Sequence, residues 1–149
     1  MEEVVKFVID EGTALKDKYV KDIPMSLDYV CIFCQNQKEL QEFTAKVEKL
    51  GKVVKETETG NLYLINEKYP DENGTKIIKV RIPDETKKER GDLDFCIDDY
   101  GRYKEELLKL DCSKLIVRQD SEMIELMDKD FNARVYFSNP PVRKQLNLR

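Results

Sequence analysis

Histidine is absent from this 149-residue chain, which removes the commonest metal ligand and the usual general base near neutral pH. Hydrolase sites that pair a nucleophile with histidine are excluded outright. Any catalysis has to rest on carboxylates, lysine, tyrosine or cysteine. Long apolar runs are also missing. Nothing approaches the roughly 18 to 20 residues that span a bilayer, and Met1-Glu2-Glu3 is acidic where a secretory leader is basic. The expectation is a cytoplasmic protein with no membrane partner. Nor is there an excess of positive charge. The formal net charge of −4 argues against nonspecific nucleic-acid binding, which draws most of its affinity from neutralising phosphates with Lys and Arg. Only a local basic patch is compatible with that balance.

Cysteine is sparse, at Cys31, Cys34, Cys96 and Cys112. The tightest spacing, Cys31-Ile32-Phe33-Cys34, lies in a β-type run, where residues three apart point to opposite faces. Such a pair neither shares a metal nor forms an easy disulfide. The cysteines are expected to be reduced and structural.

Against these absences stand 40% hydrophobic and 38% charged residues, the balance of a globular protein with a heavily charged surface. The length suits one domain, or two small modules sharing one core. The sequence favours the second through a repeat: Leu27-Asp28-Tyr29-Val30-Cys31-Ile32 is echoed by Leu93-Asp94-Phe95-Cys96-Ile97-Asp98. Each copy is followed by a charged amphipathic segment and then by short β-type runs, the mark of one supersecondary unit used twice.

Residues 2–20 carry Val4, Val5, Val8, Leu15 and Tyr19 amid charges, which predicts one helix, or two short ones broken near Gly12. This segment lies outside the repeat. Leu27 to Cys34 reads as a buried strand. Asn36 with Glu39 predicts a helix cap and its capping partner, Leu40, Phe43, Val47 and Leu50 recur at helical spacing, and Gly51 is a natural stop. Lys52 to Thr57, Asn61 to Asn66 and Lys76 to Ile82 follow as strands. After a charged connector, Pro83 to Arg90, the second copy runs Asp92 to Asp98 as strand and Tyr100 to Leu110 as helix. Lys114 to Gln119, Glu122 to Met127 and Ala133 to Ser138 are its remaining strands. Both units are therefore βαβββ. The organisation is an N-terminal helical extension over residues 1–22 and a domain over 23–149. The domain divides into module one (26–83), module two (91–138) and a tail (139–149).

Two consecutive βαβββ units opening with Leu-Asp-aromatic resemble the vicinal oxygen chelate superfamily of glyoxalases, bleomycin-resistance proteins and extradiol dioxygenases. Asp128-Lys129-Asp130-Phe131-Asn132 is similar to that family's Asp-Pro-Asp-Gly-Asn turn, without its proline and glycine. The resemblance implies an α+β fold in which two tandem modules form a curved mixed sheet around a cavity, with helices outside. It also implies a homodimer and, in the metalloenzymes, a divalent ion held by first and last strands. The first-strand positions fall on Tyr29 and Phe95, and the last-strand positions near Lys79 and Tyr136. Phenylalanine has no donor atom, lysine is cationic and tyrosine has a pKa near 10, so no conventional metal site and no cofactor are expected.

Strand alternation then predicts the cavity lining. Ile78, Val80 and Ile82 should face the helices, leaving Lys79 and Arg81 inward. Ile124 and Leu126 leave Met123, Glu125 and Met127 inward, and Val135 and Phe137 leave Arg134 and Tyr136. Tyr29, Cys31, Phe33, Tyr63, Phe95 and Ile97 are expected to join them. The predicted ligand-binding set is thus Tyr29, Tyr63, Lys79, Arg81, Phe95, Met123, Glu125, Arg134 and Tyr136. Its aromatic and methionine surface suits a small molecule, and its cations suit an aromatic or amphipathic carboxylate or phosphate. Core packing for the aromatics, and a Lys79–Glu125 ion pair or a solvated face for the charges, are the competing structural accounts.

Three functions follow. The first is a metal-independent binding protein of bleomycin-resistance type. The second is an enzyme with Glu125 as base, Tyr136 or Lys79 as acid, or Cys31 as a nucleophile if cations lower its pKa. The third is an interaction protein with a closed cavity. A ferredoxin-like ligand-sensing domain is the rival fold.

Overall fold

The computed structural model describes residues 1–148. Helix α1 (Glu2–Tyr19) runs unbroken through Gly12. A Cβ on Gly12 would stand 2.5 Å from Leu93 Cδ1, so the glycine lets the helix lie close on the sheet and does not break it. Module one follows as β1 (Met25–Phe33), α2 (Gln37–Leu50), β2 (Gly51–Thr57), β3 (Gly60–Tyr69) and β4 (Thr75–Arg81). Module two is β5 (Gly91–Ile97), α3 (Tyr100–Leu108), β6 (Ser113–Val117), β7 (Glu122–Leu126) and β8 (Ala133–Asn139). A short helix, α4 (Val142–Gln145), ends the chain's described part. Both modules are βαβββ, as the repeat predicts.

Local chemistry sets several boundaries. Asn36 Oδ1 accepts the Glu39 backbone N–H at 2.8 Å, while Glu39 Oε1 reaches back to the Gln35 N–H at 3.1 Å, which closes a capping box over α2. Gly51 ends α2 for a different reason from the expected one. Its backbone is extended, and a Cβ there would lie 2.1 Å from the Leu64 carbonyl oxygen. Close pairing of β2 with β3 requires the glycine, with no left-handed turn involved.

All eight strands form one sheet in the order β2-β3-β4-β1-β5-β8-β7-β6. The modules meet through antiparallel β1 and β5, and within each module the first strand pairs in parallel with the last. One sheet face carries the core. Val30, Ile32, Ile78, Leu93, Ile124, Leu126, Val135 and Phe137 are almost wholly buried under the helices. Val5, Val8 and Leu15 of α1 join the same core, because α1 lies across β1, β5 and β8 at the junction of the modules. Residues 1–22 thus lie outside the repeat but are integral to the fold. No helix among the described residues is long and apolar enough to cross a membrane.

Candidate functional site

The face of the sheet away from the helices curls around a cavity of about 370 Å3. Every strand contributes to its wall, from Lys55 on β2 and Leu62 on β3 to Ile116 on β6. Strand registers place the side chains in rows. Lys79, Cys31, Asp92 and Arg134 are successive partners across β4, β1, β5 and β8. In the next row Tyr29, Asp94, Tyr136 and Glu125 are partners across β1, β5, β8 and β7. Neighbours within a row stand about 4.8 Å apart.

Tyr29, Lys79, Arg81, Met123 and Tyr136 line the cavity, as alternation predicts. Arg134 and Glu125 share that face but are tied to other groups. The Arg134 guanidinium donates to Glu89 Oε2 at 2.7 Å and Oε1 at 3.1 Å, and lies 3.8 Å from Glu125. Glu125 also accepts the Tyr136 hydroxyl at 2.7 Å. Arg134 lines a neighbouring hollow of about 290 Å3, which also takes Met127. The predicted Lys79–Glu125 pair does not form, because Lys79 Nζ donates instead to Thr59 Oγ1 at 2.7 Å.

Tyr63 and Phe95 require correction: both belong to the core on the helix side, as does Ile97. Tyr63 is the cross-strand partner of Ile78 and so shares its buried face. Phe95 is displaced from the inner wall by a bulge in β1. Leu27 pairs with Phe95 but Tyr29 pairs with Asp94, so Asp28 is an extra residue on β1. Up to Asp28 the two copies keep step: Leu27 and Leu93 face the core, and Asp28 and Asp94 are buried carboxylates. Past it Tyr29 turns inward while its sequence counterpart Phe95 does not. Beyond the end of β4, Ile82 is exposed and does not face the helices.

The structure adds residues that the expected set lacks. Asp92 and Asp94 face the cavity where phenylalanine was expected, together with Lys55, Lys87 and Arg118. Strict alternation from Leu93 would have found both aspartates. Lys87 and Glu89 come from the connector, and no periodicity marks them. The tail contributes Val142, Gln145 and Leu146 to the cavity. It is anchored where Asp28 accepts the Arg143 N–H at 3.2 Å.

Burial governs the electrostatics. It holds the Lys79 ammonium below its ordinary pKa, with Arg81 adding to the effect. It also raises the Tyr136 hydroxyl, helped by Asp92 and Glu125. The Cys31 thiol is pushed well up by burial and then by Asp92, against the pull of Lys79. Cys31 is therefore no thiolate, and the nucleophile reading loses its condition. Asp94 is raised well above the carboxylate range by burial, although it accepts the Ser138 hydroxyl and, at 3.2 Å, the Ser138 N–H. Asp92 is raised to about 7 by burial against the opposing pull of Lys79 and Arg81. No group of three Cys, Asp or Glu side chains converges among the described residues. The position matching Tyr29 in module two is Asp94, which has donor atoms but is engaged by Ser138. Beside it the cationic Lys79 and Arg81 make a poor setting for a divalent ion.

This geometry defines an α+β protein of the glyoxalase-like class, two βαβββ modules joined edge to edge around a concavity. No family model matches the chain, and no curated protein matches it. Among solved structures, a structural-genomics protein designated EC4020 superposes with a TM-score of 0.73 at 12% identity, over 97% of this chain and 88% of its own. A glyoxalase/bleomycin resistance protein/dioxygenase superfamily member from Vibrio splendidus 12B01 superposes with a TM-score of 0.49 at 10% identity, over 78% of this chain and 98% of its own. At such identity the likeness to EC4020 is one of fold. The class assignment rests on the order and pairing of the strands.

Proposed function

We propose that this chain is a metal-independent small-molecule binding protein of glyoxalase/bleomycin-resistance type, whose cavity takes an anionic ligand with an aromatic or amphipathic body. The observation that carries the reading is the charge of the wall. Lys55, Lys79, Arg81, Lys87 and Arg118 line one cavity that holds only Asp92 and Asp94 as carboxylates. Arg81 reaches Asp84 at 3.6 Å, while the other four cations form no ion pair with a described residue. Both aspartates are pushed toward their neutral forms by burial, so the wall is more positive than the count implies. Opposite the cations, Leu62, Ile116, Met123, Val142 and Leu146 supply an apolar surface. A volume of about 370 Å3 falls in the range of small-molecule pockets and stands against a closed cavity. A homodimer is not needed to complete the site, since one chain supplies the whole wall.

Calorimetry and thermal-shift measurements with aromatic carboxylates and alkyl phosphates, each beside its neutral amide or alcohol, test the reading. Anions should raise Tm and their neutral analogues should not. Lys79→Met should weaken binding about tenfold, the size of one charge-assisted hydrogen bond. Failure of every anion to shift Tm would sink the proposal.

Asp92 favours a second reading, an enzyme working in the same cavity. A carboxyl near 7 beside bound substrate is suited to proton transfer. In this role Asp92 replaces Glu125, which is held by Tyr136 and Arg134. Long incubation with a bound probe, followed by NMR, separates the two: recovery of the unchanged probe marks simple binding.

A further inference from the structure

We infer that the anion this cavity binds carries a hydroxyl group, and that Asp92 is the residue that selects it, so that hydroxy acids or polyol phosphates are preferred over their deoxy counterparts. The inference rests on the anion-binding reading above and deepens it.

The argument starts from what Asp92 lacks. Other buried aspartates of the inner face have partners: Asp94 accepts from Ser138, and Asp28 accepts from Arg143. Asp92 accepts no hydrogen bond from any described residue, and only burial and distant charges act on it. Its row neighbours cannot help. On one side is Cys31, whose nearest acceptor is the Ile32 carbonyl at 4.0 Å. On the other is Arg134, whose guanidinium is held by Glu89 and Glu125. A carboxylate withdrawn from water without a donor destabilises the fold that holds it. Nothing structural is gained from Asp92, so the missing donor is assigned to the ligand.

The surroundings decide which donor. An ammonium group would share the cavity with five basic side chains and meet like-charge repulsion. A hydroxyl carries no charge and donates equally well. Lys79 stands in the same row as Asp92, separated from it by Cys31 alone. Two strand spacings, about 10 Å between backbones, are narrowed by the long lysine side chain. A single small molecule can place its anionic group on Lys79 and Arg81 and its hydroxyl on Asp92. Its apolar remainder then meets Met123 and Ile116.

Two matched probe pairs test this by calorimetry: 3-phenyllactate against 3-phenylpropionate, and glycerol 3-phosphate against propyl phosphate. They separate a carboxylate from a phosphate as the anionic group. The wild-type chain should bind the hydroxylated member of at least one pair about tenfold more tightly or better, the value of one hydrogen bond to a charged acceptor. Asp92→Ala should keep the affinity for the deoxy member and lose the preference. Equal binding of both members by wild type overturns the inference and leaves the anion reading intact. A preference that survives Asp92→Ala removes the role from Asp92. Binding of none of the four probes at millimolar concentration overturns the anion reading itself. If the alanine variant does not fold by circular dichroism, the wild-type comparison decides alone.

Discussion

Asp92 and Asp94 lie two residues apart on one strand and face one cavity, yet they differ in what meets them. Ser138 donates to Asp94 through both its hydroxyl and its N–H, so Asp94 has local partners that Asp92 lacks. Asp92 has only the field of nearby cations, and its pKa is raised from 3.8 to about 7. A carboxyl raised in the folded state binds its proton more tightly there than in the unfolded chain. Its contribution to stability is therefore fully present below the ordinary value and is lost as pH rises through about 7. Asp92→Asn removes that dependence. The variant should match wild type near pH 4 and exceed it near pH 8, by on the order of 2 to 4 kcal/mol at most. Urea denaturation at the two pH values measures the difference, and equal gaps at both would contradict the burial argument.

At the scale of elements, helix α2 shows how a short stretch of sequence settles its own structure. The Asn36 side chain and Glu39 satisfy backbone donors that the first turn leaves open. Asn36→Ala should cost about 1 kcal/mol, read as a lower urea midpoint with an unchanged slope, and Asn36→Gly only a few tenths. This cap is legible in the sequence because donor and acceptor are three residues apart. The bulge at Asp28 is not. It exists only in the pairing of β1 with β5, strands whose partners are more than 60 residues apart in the chain, as the register of Tyr29 with Asp94 illustrates. Nothing within Leu27-Asp28-Tyr29 announces the extra residue. Gly51 is an intermediate case: its position as a stop is readable, while the reason for it, the Leu64 carbonyl 2.1 Å from any Cβ, belongs to the sheet.

For the molecule as a whole, the modules are halves of one cooperative structure. The sheet is continuous across β1 and β5, and α1 covers that seam with Val5, Val8 and Leu15 fully buried. Each such side chain is worth about 1.5 to 3 kcal/mol when removed from water. Separating the modules would expose this surface and open the β1–β5 edges, so neither half has a stable state of its own. Calorimetry should show a single transition with equal calorimetric and van't Hoff enthalpies. A fragment of residues 1–90 should lack a cooperative melt. Two resolved transitions in the intact chain would show that the modules are independent.

The chain's alternation, its repeat and its caps determined by themselves that there are two βαβββ modules, where their helices begin, and that Tyr29, Lys79, Arg81, Met123 and Tyr136 turn inward. These follow from interactions between residues near each other in sequence. Tertiary structure alone decided that Tyr63 and Phe95 turn to the core and that Asp92 and Asp94 reach the cavity. The reason is the two-residue period of a strand: one bulged residue exchanges the faces of everything beyond it. Which charges go without partners was decided there as well. Glu89 and Arg134 find each other across 45 positions of sequence, and only folding reveals that Asp92 is left with no one.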